Sequence, residues 1–334
     1  MKKLLALLLA AAMVVAFGAT AFAEKDPLDE VYYFDMGSTM TSSALITPLL
    51  AAACENIGER TDGHVQIEFF PDSTLGSDTE MYTQLQNGEL AFLNTGIMAK
   101  VMINDYAFLT GYWWMKDMDH FWKVWNSEIG DRYHAVMEDN YNTHEICATL
   151  LGLHNLISTK PIKTLEDFNG LQLRISSNPA AVELWKAIGT NVNIMPWGEV
   201  IPSLQTGVID TVGHTFQQFY DTSLQELTSY LTETSHEADV TCVYVNNDIW
   251  NELPEEYRTV VQDEFDAAFA AFDIMRDEKM EESKQALIDS GLEYTLLDPE
   301  IRAQIVEIME PVLRDVFETT WTGATYDEVM AFAD

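Results

Sequence analysis

The chain has 334 residues, 18 basic against 54 acidic side chains and a formal net charge of −36. That balance excludes nucleic acid and anionic lipid surfaces as partners, because both are polyanions. The length supports two domains, each with its own core, and any anionic small molecule must be held against the overall field by a local positive group.

Residues 1–23 read as a secretory signal. Lys2 and Lys3 form a basic start, Leu4 to Phe17 an apolar run and Ala21 to Ala23 a small-residue cleavage site, so the mature chain is expected to begin at Glu24 outside the cytoplasm. A retained membrane anchor is the alternative, but the run is short for a bilayer span. No cysteine follows the cleavage site to carry a lipid anchor.

After the signal, "EVYYFDMG" reads as a strand, and Ile46, Leu49, Leu50, Ala53 and Ile57 follow at helical spacing up to Gly63. "HVQIEFF" alternates as a second strand, "TEMYTQLQNGEL" as a helix and "AFLNTG" as a third strand. The middle repeats this order: strand "ATLLGLHNLIST", a helical turn "TLEDFNG", strand "LQLRIS", then a helix capped by Asn178, opened by Pro179 and ended by Gly189. Strand "NVNIMP", helix "WGEVIPSLQTG" and strand "VIDTV" complete it. Strands alternating with helices predict an α/β fold with largely parallel sheets. From Glu255 to Ser290 there is neither proline nor glycine, and Val261, Phe265, Phe269 and Phe272 share one face. Such a helix spans on the order of 50 Å, more than one small domain, and suits a beam joining two lobes.

Catalytic signatures are missing: no GxSxG, HExxH, phosphate loop or GxGxxG after a strand. The seven histidines show no metal-ligand spacing, and neither a metal nor a cofactor is expected. Cys54, Cys147 and Cys242 form no CxxC and read as small buried hydrophobes, with one disulfide as the alternative.

Six of the seven arginines fall in helical stretches, where a solvated face accommodates them without special reason. Arg174 alone lies in a strand. Leu171, Leu173 and Ile175 share one face of "LQLRI" and leave Arg174 on the other, so alternation by itself is satisfied by a solvated arginine or by one facing a cleft. Its place just before a helix start favours an anion, since free helix N–H groups and a guanidinium together suit a carboxylate. Phe121, Trp122 and Trp125 read as core at helical spacing. Trp113 and Trp114, taken as strand neighbours, point to opposite faces and put one toward a cleft. Trp197 follows a strand's carboxyl end, where α/β sheets bind ligands.

The stretch from Lys160 to Val212, "KPIKTLEDFNGLQLRISSNPAAVELWKAIGTNVNIMPWGEVIPSLQTGVIDTV", resembles the signature region of the DctP-type substrate-binding proteins of tripartite ATP-independent periplasmic (TRAP) transporters. "FFPDSTLGSDTEMYTQLQNGEL" and "NNDIWNELPEEYRTVVQ" extend the likeness over essentially the whole mature chain. The resemblance implies a two-lobed periplasmic binding protein that closes on a small organic acid, hands it to a membrane permease and performs no chemistry. It implies lobes of 24–151 with 240–279 and 152–239 with 280–334, the long helix belonging to both. It makes Arg174 the partner of the ligand carboxylate.

Two departures from the family pattern stand out. His154 falls where many members carry a second arginine, and His214 where an asparagine is common, which leaves Arg174 as the one fixed positive charge expected in the cleft. Trp197 is expected to line the pocket, and Ser38, Thr39, Ser42 and Thr95 to offer hydrogen bonds from the first lobe. A binding protein of an ATP-driven transporter, a chemosensory binding protein and, least favoured, a secreted hydrolase are the competing readings.

Overall fold

The computed structural model describes residues 27–175 and 178–333; the signal-peptide reading lies outside them. The first half contains β1 (Tyr32–Ser38), α1 (Thr47–Arg60), β2 (Val65–Phe70), α2 (Asp78–Gln86), β3 (Phe92–Gly96), α3 (Met98–Val101), α4 (Met118–Trp125), α5 (Glu128–Tyr141) and β4 (Thr143–Leu153). Then come β5 (Asn155–Ser158), β6 (Gln172–Ile175), α6 (Pro179–Ala187), β7 (Asn191–Ile194), α7 (Val200–Thr206), β8 (Thr211–His214), α8 (Phe216–Asp221), β9 (Tyr230–Glu233) and β10 (Ala238–Asn246). The chain closes with α9 (Asn247–Glu252), α10 (Glu255–Asp289), β11 (Glu293–Leu296), α11 (Pro299–Thr319) and α12 (Tyr326–Met330).

Two sheets form, in strand order β2-β1-β3-β10-β4 and β11-β9-β5-β8-β6-β7. The βαβ units give parallel pairs, β1 with β2 and β3 and β6 with β7 and β8, whereas β10 runs antiparallel between β3 and β4. The alternation read from the sequence holds in β1 and β2 because Met36 and Val65 reach the core while Tyr33 stands exposed.

The expected single strand "ATLLGLHNLIST" is instead two. It breaks at His154, so that β4 lies in the first sheet and β5 in the second. A second passage runs back from β9 to β10 through Thr234–Glu237, and the two are stitched together: the His154 N–H donates to the Glu237 carbonyl at 2.8 Å and the His236 N–H to the His154 carbonyl at 3.1 Å.

The long helix α10 makes the third link. Val261, Phe265, Phe269 and Phe272 sink into the core beneath the first sheet, while Leu287, near its other end, joins the core of the second. Burial of each such side chain contributes about 1.5–3 kcal/mol, so the beam is anchored at both ends. The C-terminal arm also ties distant parts together: α11 packs on α6, and Phe317 meets Phe108 at a ring distance of 5.1 Å.

Two expectations are corrected, those for the paired tryptophans and for two arginines, and the alternative of a disulfide is removed. Trp113 and Trp114 lie in a turn, Trp113 with φ of 58°, and both are buried instead of alternating across a strand. The cysteines are all free; Cys147 and Cys242 sit on adjacent strands, but Val243 is the residue paired with Cys147, which sends the two sulfurs to opposite faces. Arg302 and Arg276 are not simply solvated: Arg302 donates to the carbonyls of Thr234 and Met115 and covers the Trp113 ring, and Arg276 donates to the Leu150 carbonyl.

Candidate binding site where the chain passes between the sheets

Strand β6 delivers Arg174 into the interior, with only 6 % of its surface exposed, so the solvated-face reading is overturned. A parallel register with β7 brings Arg174 opposite Asn193, and the carbonyl of Met195, just past β7, accepts from Arg174 Nε at 3.2 Å and Nη2 at 2.9 Å. One side of the guanidinium fork is thereby fixed. Its Nη1–Nη2 end is left to face the pocket, with no hydrogen bond to Nη1 among the described residues. The Trp197 ring lies 5.1 Å from the guanidinium carbon and covers it.

The helix start behaves as the sequence suggests. Asn178 Oδ1 accepts from the Ala181 N–H at 3.2 Å and caps α6, while its Nδ2 is buried without a partner among the described residues. Buried amide groups left unpaired are costly, and this one lines the same small cavity as Arg174. That cavity, of about 20 Å³, is walled by Tyr112, His154, Trp185, His236 and Glu237 among others. A larger groove of about 880 Å³ runs along the edge strand β4, but its cations Arg276 and Lys284 are already paired with Asp273, Asp277 and Glu233.

Around the cavity sits a chain of charges. Glu237 lies 2.7 Å from Lys100 Nζ through Oε1 and 3.0 Å from His154 Nδ1 through Oε2; Asp239 Oδ2 lies 3.5 Å from His154 Nε2. Burial opposes a charge on His154, but the carboxylates of Glu237 and Asp239 outweigh it and raise its pKa to about 9. Burial likewise works against the Glu237 carboxylate, and Lys100 and His154 hold it well below the usual range. Asp239 is lowered for the same reason, burial again being overcome by His154. His214 and His236 go the other way, each pushed down to about 3 by burial and by the charge on His154.

The rings of His154 and His214 lie 4.7 Å apart, and Trp197 meets His214 edge-on at 5.0 Å. Arg174, His154, His214 and Trp197 are therefore brought together. Of these, Arg174 and His154 line the cavity and His214 and Trp197 stand behind them, whereas Ser38, Thr39, Thr95 and Ser42 make their bonds elsewhere. Ser38 is buried and donates to Asn94 Oδ1, Thr39 donates to Thr95 at 3.0 Å, and Ser42 bonds Asp72. Five residues beyond Thr95, at the start of the connection after β3, Lys100 reaches the cluster. Arg174 is thus not the only fixed positive charge, as the departures from the family pattern had suggested.

Spacing also hid the histidines. His154, His214 and Asp239 form one group, and His154, His236 and Glu237 another, with ligand atoms within 4.8 Å of one another. Their hydrogen bonds do not suit a metal. His214 Nδ1 accepts the Thr215 N–H at 2.9 Å, so its proton resides on Nε2, and both nitrogens of His154 face carboxylates as an imidazolium does. Glu237, Asp239, Lys100 and His236 carry no sequence signal, since acids are abundant throughout. Asn178 was legible only as a cap.

Comparison with known proteins agrees with this architecture. The family model for DctP, bacterial extracellular solute-binding protein family 7, matches residues 36–320. The C4-dicarboxylate-binding periplasmic protein of Shewanella loihica is 28% identical over 267 residues, 77% of this chain and 76% of the relative. The ectoine-binding periplasmic protein of Halomonas elongata is 31% identical over 223 residues, 64% and 63% of the two chains. The crystal structure of a TRAP periplasmic solute-binding protein from Chromohalobacter salexigens with bound D-glucuronate shares the fold, with a TM-score of 0.80 at 23% identity over 90% of this chain and 99% of that one. The architecture is accordingly that of a two-lobed periplasmic binding protein, and these relatives are solute-binding proteins and not enzymes. The chain belongs to the DctP family, the bacterial extracellular solute-binding proteins of family 7.

Proposed function

We propose that the chain captures a small organic acid between its lobes in the periplasm and delivers it to the integral-membrane subunits of a TRAP transporter. The carrying observation is a pair of donors at one cavity that have no hydrogen bond among the described residues: Nη1 of Arg174, beside the Nη2 held by Met195, and the Nδ2 of Asn178. A fork held by Met195 on one side and covered by Trp197 is already oriented, so a carboxylate gains charge-assisted hydrogen bonds without ordering the arginine. Tyr112 and Trp185 supply a wall for the carbon skeleton.

The lobes we assign are 24–151 with 240–279 and 152–239 with 280–334. The passages at His154 and at 234–237, together with α10, make the hinge, which supports capture by opening and closing: a cavity of about 20 Å³ holds roughly one water, so a solute enters an opened form and is enclosed by the closed one. Export removes residues 1–23, and the exported protein begins at Glu24.

Calorimetric titration of the mature chain with a carboxylate panel tests the reading. Binding by at least one carboxylate, weakened 100-fold or more in Arg174→Ala and less in Asn178→Ala, is expected from about 1.5–3 kcal/mol per charged hydrogen bond. Wild-type affinity in Arg174→Ala removes the residue from the site.

A further inference from the structure

The polar groups at the cavity admit a count of charge. Arg174 has no carboxylate within bonding distance among the described residues; its guanidinium bonds a carbonyl. Lys100 is neutralised by Glu237 at 2.7 Å. His154, with the Glu237 carboxylate 3.0 Å from Nδ1 and that of Asp239 3.5 Å from Nε2, is the imidazolium between them. His214 is neutral by geometry, because a ring nitrogen that accepts the Thr215 N–H cannot also carry a proton. His236 is enclosed by Tyr112, Trp113 and Trp185, with Nδ1 on the Thr234 hydroxyl at 2.7 Å, and is 2 % exposed. Three cations and two anions remain, and the unmatched one is Arg174.

From this juxtaposition we infer that the site selects solutes with a single carboxylate and no other charge, and discriminates against dicarboxylates and zwitterions. The inference rests on the proposed capture of carboxylates at Arg174 and deepens it. A second carboxylate in so enclosed a pocket meets Glu237 on its wall, with Asp239 behind it across the His154 ring and no free cation among the lining residues to pair it, and buried charge without a partner is strongly disfavoured. The cationic end of a zwitterion meets Glu237, whose two oxygens are already taken by Lys100 and His154. Arg302, the next cation outward, does not line the cavity: it sits over Trp113 and is bound to the Thr234 and Met115 carbonyls. Where family relatives are described as binding a C4-dicarboxylate or ectoine, this chain's own charges select a different class.

Titration of the mature chain at pH 7 with matched probes tests this. Lactate, butanoate and gluconate represent a single carboxylate, malate and succinate two, and ectoine a zwitterion with one carboxylate and one cationic amidinium. Monocarboxylates are expected to include the tightest probe, by tenfold or more over either other class. Asp239→Asn removes one anion and is expected to narrow the preference of lactate over malate by at least tenfold. Equal or tighter binding of a dicarboxylate or of ectoine in the wild type overturns the inference and leaves carboxylate capture standing. So does an unchanged lactate-to-malate ratio in a folded Asp239→Asn, and the wild-type ranking decides alone if that variant does not fold. Failure of every carboxylate to bind overturns both readings.

Discussion

His154 and Glu237 are bonded twice at the point where two strands pass between the sheets, once through the backbone at 2.8 Å and once through Nδ1 and Oε2 at 3.0 Å. The chain passage we propose as a hinge and the charge cluster are therefore the same piece of structure, and perturbing one perturbs the other.

Stability should peak near neutral pH. Between its ordinary value of 6.5 and about 9, His154 holds a proton in the folded chain that the unfolded chain has lost, so its contribution is full below 6.5 and disappears as pH rises through 9. His214 and His236 stay neutral in the folded chain down to about 3 but protonate below 6.5 when unfolded, so stability also falls as pH drops. Each group changes stability by at most about 1.4 kcal/mol per pH unit. Thermal unfolding is expected to show a maximum near pH 6.5, with the alkaline limb flattened in His154→Gln. A wild-type maximum above pH 8 is incompatible with this account.

Replacing Arg174 by lysine keeps the charge but loses the fork. Lysine cannot hold the Met195 carbonyl and a carboxylate in one plane. Arg174→Lys is expected to bind carboxylates at least 30-fold more weakly than wild type in calorimetry, and affinity within threefold would show that charge alone suffices.

Trp197→Ala removes the ring over the guanidinium. A cation–π contact of about 0.5–2 kcal/mol corresponds to a two- to thirtyfold loss of affinity, with little change in melting temperature because Trp197 is only partly buried at the edge of the second sheet's core. A markedly lower melting temperature with wild-type affinity would contradict that assignment.

Phe317→Ala should destabilise by about 3–5 kcal/mol, because the side chain is 3 % exposed and packs on Phe108, Trp321 and Tyr326. Denaturant titration reads this directly. A cost below 1 kcal/mol would mean that the C-terminal arm contributes little to the fold.

Thiol titration without reductant should find three reactive cysteines in denaturant and slow reaction of Cys54 and Cys242 in the native protein, since both are buried and unpaired. Burial raises the Cys54 thiol to about 12 and so withholds the thiolate. A single thiol in denaturant would reveal a disulfide.

By itself the sequence determined what repeats locally. Alternation placed Leu173 in a strand core, Asn178 and Pro179 marked the start of α6, and the uninterrupted run after Glu255 specified the beam, because side-chain direction follows backbone period within a few residues. Tertiary structure decided the break at His154, the burial of Arg174 against Met195 and Trp197, and the meeting of His154, His236, Lys100, Glu237 and Asp239. These depend on which strand passes to which sheet. In a chain with 54 acids, nothing local distinguishes Glu237 and Asp239 as the carboxylates that join this cluster; they are selected by the cations that the folded strands set beside them, since a buried charge persists only with its partner.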